Sequence, residues 1–324
     1  MLKIFKQNTI GQLLVIAVTI IALWTRAFIV PIAMPASHFF SPLYELVYSW
    51  LSPVPRLASG LALLLVLAQG VWINAILTNH KITKAHSLMP MFLYITVMSW
   101  SSSQLTITPM LLASLPLLAA TSQLLSDGGT QLTPERNFNA SFCIGLIGLF
   151  HLPALCYIIP FLFVFIIYKM YRWRHLLISI LGLLATPILL LTYAFLSDKL
   201  DYYLILVRHD LSNIDFQWQP ASFLEALPTF ILLALLLAAV FKQLGSLNDR
   251  TVHQRINTGI LCLPLIAAVI LYLYPHTPTF DIQPLALPFA FVGTHLLMAQ
   301  RKRLWINETL IILFIVCALI NPIL

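Results

Sequence analysis

Charged side chains are scarce in this chain. Asp, Glu, Lys and Arg make up 9% of its 324 residues, against roughly a quarter in a soluble globular domain. With 60% hydrophobic residues and a mean hydropathy of +0.91, that scarcity excludes an ordinary water-soluble globule. Alternation of polar and apolar residues is missing too. The apolar residues run in unbroken blocks such as 178–196, which excludes an outer-membrane barrel and predicts helices. Cysteine is limited to Cys143, Cys156, Cys262 and Cys317, all inside apolar segments and without Cys-x-x-Cys or Cys/His spacing. They read as small buried hydrophobes and not as a disulfide framework or a zinc site. No arginine-rich run accompanies the net charge of +7, so nucleic acid is not the expected partner. A phosphate-binding Gly-rich loop, a Rossmann fingerprint, His-Glu-x-x-His and a nucleophile elbow are all absent. The deep apolar segments carry no acid and the halves of the chain show no internal repeat, which argues against powered, proton-coupled or inverted-repeat transport.

What is present is an all-α polytopic pattern. A helix needs roughly 20 residues to cross the hydrocarbon core, and spans fall near 9–30, 57–78, 88–103, 106–125, 137–151, 153–171, 175–196, 227–242, 257–274, 281–299 and 304–322. The basic start, Lys3 and Lys6, precedes an apolar stretch with no Ala-x-Ala site after it, so the first span is expected to be retained as a helix. Segments 88–125 and 137–171 must each turn back, at Ser101–Gln104 and at His151–Pro153.

The basic residues test this threading. With the N-terminus cytoplasmic, only Arg26, Arg56, Lys199 and Arg208 lie outside, and the other fourteen of the eighteen lie inside. Were 137–171 a single span, the inside count would fall to seven, against the positive-inside bias. Of the eleven acids, Asp127, Glu135, Asp249 and Glu308 fall inside and the other seven outside. The inner face is thus +10 and the outer face −3.

Two connections are long, 31–56 and 197–226, and both lie on the outer face. Long ordered loops on a compact scaffold tend to carry function. In the first, Ser41 and Pro42 form an N-cap and first-turn pair. Leu43, Leu46, Val47, Trp50 and Leu51 follow at the spacing of a surface amphipathic helix. Glu45, Tyr48 and Ser49 occupy its other face, and Glu45 is the loop's only acid. The second loop holds Asp201, Tyr202, Arg208, His209 and Asp210, then Asp215 and Trp218. A carboxylate here can act as general base toward a hydroxyl or hold a divalent cation, and Arg208 can bind phosphate oxygens. Each of these residues also fits a wet loop with local ion pairs. Glu225 belongs to a capping box, Ser222-Phe-Leu-Glu225, that starts the eighth helix.

Arg26 and Arg56 flank the first outer loop, where each can snorkel to headgroups or hold an anionic ligand. His38, His276 and Asp281 share the outer rim, and His295 lies within the tenth span as a structural hydrogen-bonding group. The candidate catalytic residues are therefore Glu45 and Asp201. The candidate substrate-binding residues are Arg26, Arg56, Arg208, His38, Tyr48 and Asp210. No protein metal site is expected, and a divalent cation is the one cofactor the pattern allows.

Seven spans over residues 1–226, with long outer loops after the first and the seventh, resemble the conserved module of GT-C glycosyltransferases. The remaining four spans, 227–324, then form an addition. The resemblance implies transfer of a sugar from a polyprenyl phosphate at the outer face, with an acid of the first loop as base or metal partner and basic residues receiving the lipid phosphate. The acid that family usually carries directly after the first span is missing from Arg26-Ala-Phe-Ile-Val-Pro31, and Glu45 is its only replacement. A second resemblance rests on Trp72-Ile-Asn74, Leu88-Met-Pro90-Met-Phe-Leu-Tyr94, Tyr171-Arg-Trp-Arg174, Gly182 and Pro187. The chain is similar in these to an uncharacterised family of polytopic inner-membrane proteins from Bacteroidota, which implies an inner-membrane location. Two other readings stand beside the enzyme. One is a non-catalytic subunit whose outer loops bind partner membrane proteins of envelope assembly or secretion, and the other is a carrier of a lipid-linked substrate.

Overall fold

The computed structural model describes residues 9–37, 39–82, 87–125, 132–170, 172–212, 223–245, 251–272 and 282–294, with Phe5, Leu297, Thr309 and Ile312. All regular structure among the described residues is helical. The helices are α1 Thr9–Ile29, α2 Pro42–Leu51, α3 Pro55–Asn79, α4 Met89–Met98, α5 Pro109–Leu124, α6 Pro134–Phe150, α7 Ile158–Ile167, α8 Trp173–Leu196, α9 Leu200–Ser212, α10 Phe223–Gly245, α11 Val252–Cys262, α12 Pro264–Tyr272 and α13 Gln283–Pro288. Prolines 42, 55, 109 and 134 open α2, α3, α5 and α6, where a missing N–H costs nothing and the fixed φ suits the first turn.

Among the described residues four helical stretches are long and apolar enough to cross a bilayer: Ile10–Ile29, Pro55–Asn79, Trp173–Leu196 and Val252–Tyr272. Five others, among them α4, α5 and Phe230–Gln243, are apolar but shorter. The expected span 88–103 is a helix only to Met98, because the polar run after it forms a 3-10 turn at Ser102–Gln104. The expected eleventh span, 304–322, lies almost wholly outside the described residues.

Three helices end on a charged residue with φ near +55°: Lys81, Lys169 and Asp198. In each case the next N–H reaches back five residues, Ile82 to the Leu77 carbonyl at 3.0 Å, Met170 to Phe165 at 2.9 Å and Lys199 to Ala194 at 2.9 Å. This is the Schellman end, which occupies otherwise orphaned carbonyls and turns the chain sharply.

The hydrogen bonds sort into two ends. At one, the Gln12 side chain accepts from Leu88 N–H (2.7 Å) and donates to the Phe5 carbonyl (3.2 Å). At that end Tyr168 Oη also donates to the Leu124 carbonyl (2.6 Å), and Arg136 Nη1 donates to the Leu125 carbonyl (3.1 Å). At the other, Trp24 Nε1 donates to Ser99 Oγ (2.9 Å), and Thr108 Oγ1 donates to Gln283 Oε1 (2.7 Å). The Tyr44 hydroxyl lies there too, against the carbonyls of Pro35 (2.5 Å) and Ile107 (3.2 Å). We call these the Arg172 end and the Glu45 end. Between them, Gln69 donates to the Leu111 carbonyl (3.0 Å) and accepts from the Tyr94 hydroxyl (2.5 Å). Such pairing is what lets polar side chains sit inside an apolar bundle.

Helices α6 and α8 form the closest pair. Asn137 Nδ2 donates to the His175 carbonyl (2.9 Å) and Ser179 Oγ to Asn137 Oδ1 (3.1 Å). A Cβ on Gly182 would lie 2.8 Å from the Phe138 carbonyl oxygen, and one on Gly145 3.0 Å from the Leu183 carbonyl oxygen. Small residues are thus required for the backbones to approach. Contacts 137 to 175, 138 to 182 and 145 to 186 rise together, so α6 and α8 run parallel. Residues 151–172 must therefore return the chain to the Arg172 end, as the expected turn at His151–Pro153 requires. The later helices share the same core: Cys156 Sγ meets the Ala267 carbonyl at 3.6 Å, and Gly293 packs beside Leu93.

Candidate functional site

The two long loops meet at the Glu45 end. Helix α2 is held down by Tyr44, which is fully buried, while Leu46 and Trp50 point away and are exposed. The apolar spacing in the sequence therefore marks two surfaces: Tyr44 faces the bundle, and Trp50, 79% exposed, faces outward as an interfacial tryptophan would. Glu45 is half-buried. Burial raises its carboxyl above the ordinary carboxylate range, because removal from water disfavours the charged form.

The second loop folds back through the Schellman turn at Asp198, and α9 lies across the outer part of α8. Its Tyr203 stacks edge-on against Phe40 of the first loop, ring centroids 5.9 Å apart. Burial raises the Tyr203 phenol, and so do the charge of Glu45 and the neighbouring Tyr193 and Tyr202. Phe39 packs edge-on against His151 at 5.7 Å, and the Nδ1 of His151 is buried with no hydrogen-bond partner among the described residues. Tyr203, Phe40 and His151 were not singled out as site residues in the sequence. The adjacent aromatics Phe39-Phe40 and Tyr202-Tyr203 were the signal that could have found them, since aromatic pairs recur where two irregular segments must pack.

Beneath this junction lies an apolar cleft of about 420 Å³, within the usual range of small-molecule sites. Its floor is formed by Gly145, Gly148 and Thr186, its walls by leucines of α6 and α8, and its roof by Tyr203, Leu204 and Val207. The cleft exists because the helix pair parts. Beyond Gly145, α6 turns its small face to Leu155, whose side chain would sit 2.5 Å from a Cβ on Gly148. Pro187 has no N–H for the Leu183 carbonyl, and Thr186 Oγ1 donates to that carbonyl instead (3.1 Å).

All the described candidate residues fall at this end. Tyr48 is half-buried beside Tyr44, ring centroids 6.1 Å apart. Arg26, Arg56, Asp201 and Arg208 are exposed. His38, Asp281, His295 and the side chains of Asp210 and Glu225 lie outside the described residues. Among the described residues no three His, Cys, Asp or Glu side chains converge as metal ligands would. The arrangement can take up a proton at a half-buried carboxyl, surround an apolar chain and expose cations around both.

No curated protein and no solved structure matches the chain. A family model does match, over residues 56–322, from the base of the first long loop through the described core and beyond. The chain therefore belongs to DUF6427, a family of unknown function.

Proposed function

We propose that this is a multi-pass protein of the bacterial inner membrane, crossing about eleven times with its N-terminus in the cytoplasm. In this reading the Glu45 end faces the periplasm and acts as a GT-C-like glycosyltransferase on a sugar carried by polyprenyl phosphate. Four helices long and apolar enough to cross a bilayer, in a chain of mean hydropathy +0.91, support the membrane part. The observation that carries the rest is Glu45 itself: a half-buried carboxyl with raised proton affinity at the junction of the two outer loops. That is the tuning a general base toward a hydroxyl needs.

In the transfer, the acceptor oxygen forms a bond to the sugar's anomeric carbon as its proton passes to Glu45. The bond from that carbon to the lipid phosphate breaks, and the electron pair leaves with the phosphate. Arg26, Arg56 and Arg208 supply positive charge at the same end for the phosphate. His38, Tyr48 and Asp210 belong to the sugar side of the site, and Asp201 is the second carboxylate, beside which a divalent cation would sit.

Purified protein in nanodiscs, given a polyprenyl-phosphate sugar and candidate acceptors, tests this. Release of polyprenyl phosphate that falls at least about a hundredfold in Glu45→Gln supports the base. Turnover unchanged in that variant removes Glu45 from the reaction. The exposure of Asp201, Arg26 and Arg56 favours a second reading, a non-catalytic subunit that holds partner membrane proteins, for which no transfer is seen with any acceptor. A carrier would move the lipid-linked substrate without releasing phosphate.

A further inference from the structure

The apolar cleft beneath α9 has a definite length. Its α8 wall runs from Leu183 to Ala194, eleven helical steps or about 16 Å, and half of a bilayer's hydrocarbon core is about 15 Å. It thus matches the depth of one leaflet. Its flank opens on the lipid-facing side, where Leu184, Leu191 and Leu204 of the lining are exposed. No charged side chain lines it, and the Thr186 hydroxyl is already bonded to the Leu183 carbonyl. A cation stands at its outer end. Lys199 lies just before α9, and its N–H donates to the carbonyl of Ala194 (2.9 Å), the last α8 residue of the lining.

We propose that the cleft is a binding site for one acyl chain of an outer-leaflet phospholipid, whose headgroup phosphate meets Lys199. The match to one leaflet selects an acyl chain over a long isoprenoid, which would overrun the cleft. Charge complementarity with Lys199 places the headgroup at the Glu45 end. Lipid held there roofs the bundle beside the junction of the loops, and Phe40 and Tyr203 are shared by cleft and junction. The proposal rests on the reading above only for the periplasmic placement of this end, and it needs no glycosyl transfer.

The test uses the full chain in nanodiscs of phosphatidylcholine doped with phosphatidylglycerol carrying a diazirine on one acyl chain. After photolysis and proteolysis, label is expected within 145–155, 183–194 and 203–207 in excess over the outward face of α8 at Ile180 and Leu181. Leu190→Trp, which fills the cleft, lowers that excess at least about fivefold. Lys199→Gln, at an exposed side chain, lowers it roughly fivefold. Label spread evenly over α8 and unmoved by either change means surrounding lipid only, and overturns the site. Complete displacement by unlabelled polyprenyl phosphate at equal amount overturns the acyl assignment, and persistence of the label supports it. Labelling without any sugar transfer rejects the transferase reading and leaves the cleft. Glu45-dependent transfer with no cleft label does the reverse.

Discussion

The inner and outer halves of the α6–α8 pair are built from similar residues and behave in opposite ways. Toward the Arg172 end, Asn137, Ser141 and Gly145 press against Ser179, Gly182 and Thr186 with the backbones in near contact. Toward the Glu45 end, Gly148 and Ala194 leave the volume that becomes the cleft. Small side chains close a helix pair only where both helices present them in register, with polar groups paired across the gap. Where one helix turns its small face to a third element, as Gly148 does to Leu155, the same residues open a site.

Enlarging a side chain in each half gives the widest contrast. Gly182→Leu cannot be accommodated, because backbone already lies 2.8 Å from where its Cβ would stand. A loss of about 3 kcal/mol is expected in thermal unfolding in detergent. Leu190→Trp in the open half should change stability by less than about 1 kcal/mol. Equal losses from both would erase the distinction. Asn137→Leu removes the bond to the His175 carbonyl and the acceptor for Ser179, a cost of about 1 kcal/mol by the same measurement.

Smaller effects belong to the outer half. Asp198 holds a left-handed φ of 53° at the negative end of α8. Asp198→Gly relieves both penalties and should stabilise by about 0.5 kcal/mol, without altering the tight half. Glu45 gives a pH signature with a defined sign. Its folded pKa is raised above the ordinary 4.5, so the folded state retains a proton that the unfolded state has lost. Its contribution to stability is therefore fully present below about 4.5 and is lost as pH rises through the folded pKa. Glu45→Gln should flatten this part of the stability profile between mildly acidic and neutral pH. A profile identical to that of the parent protein would mean that Glu45 is solvated.

How much of this could be read from the sequence depends on which force dominated each region. Long apolar blocks and the basic asymmetry suffice for α1, α3 and α8, where transfer out of water decides the outcome. They also suffice for the return after His151, which the parallel run of α6 and α8 requires. Residues 88–125 were harder, because α4 stops at Met98 and the run after it is tied down by Trp24, Tyr44 and Gln283, partners distant in sequence. The site was half legible. Glu45 and both outer loops stood out by composition, whereas the Phe40–Tyr203 contact and the cleft arise from tertiary packing that no local spacing encodes. The glycines of α6 carried the signal, but small residues close or open a gap depending on what faces them.

The central claim is that the open half of this pair faces the outer leaflet. It is tested most directly by cysteine labelling in intact bacterial cells, with the four native cysteines replaced. Asp201→Cys should react with a membrane-impermeant maleimide added outside, and Arg172→Cys only after the membrane is opened. Labelling of Arg172→Cys in intact cells, with Asp201→Cys protected, would contradict the account.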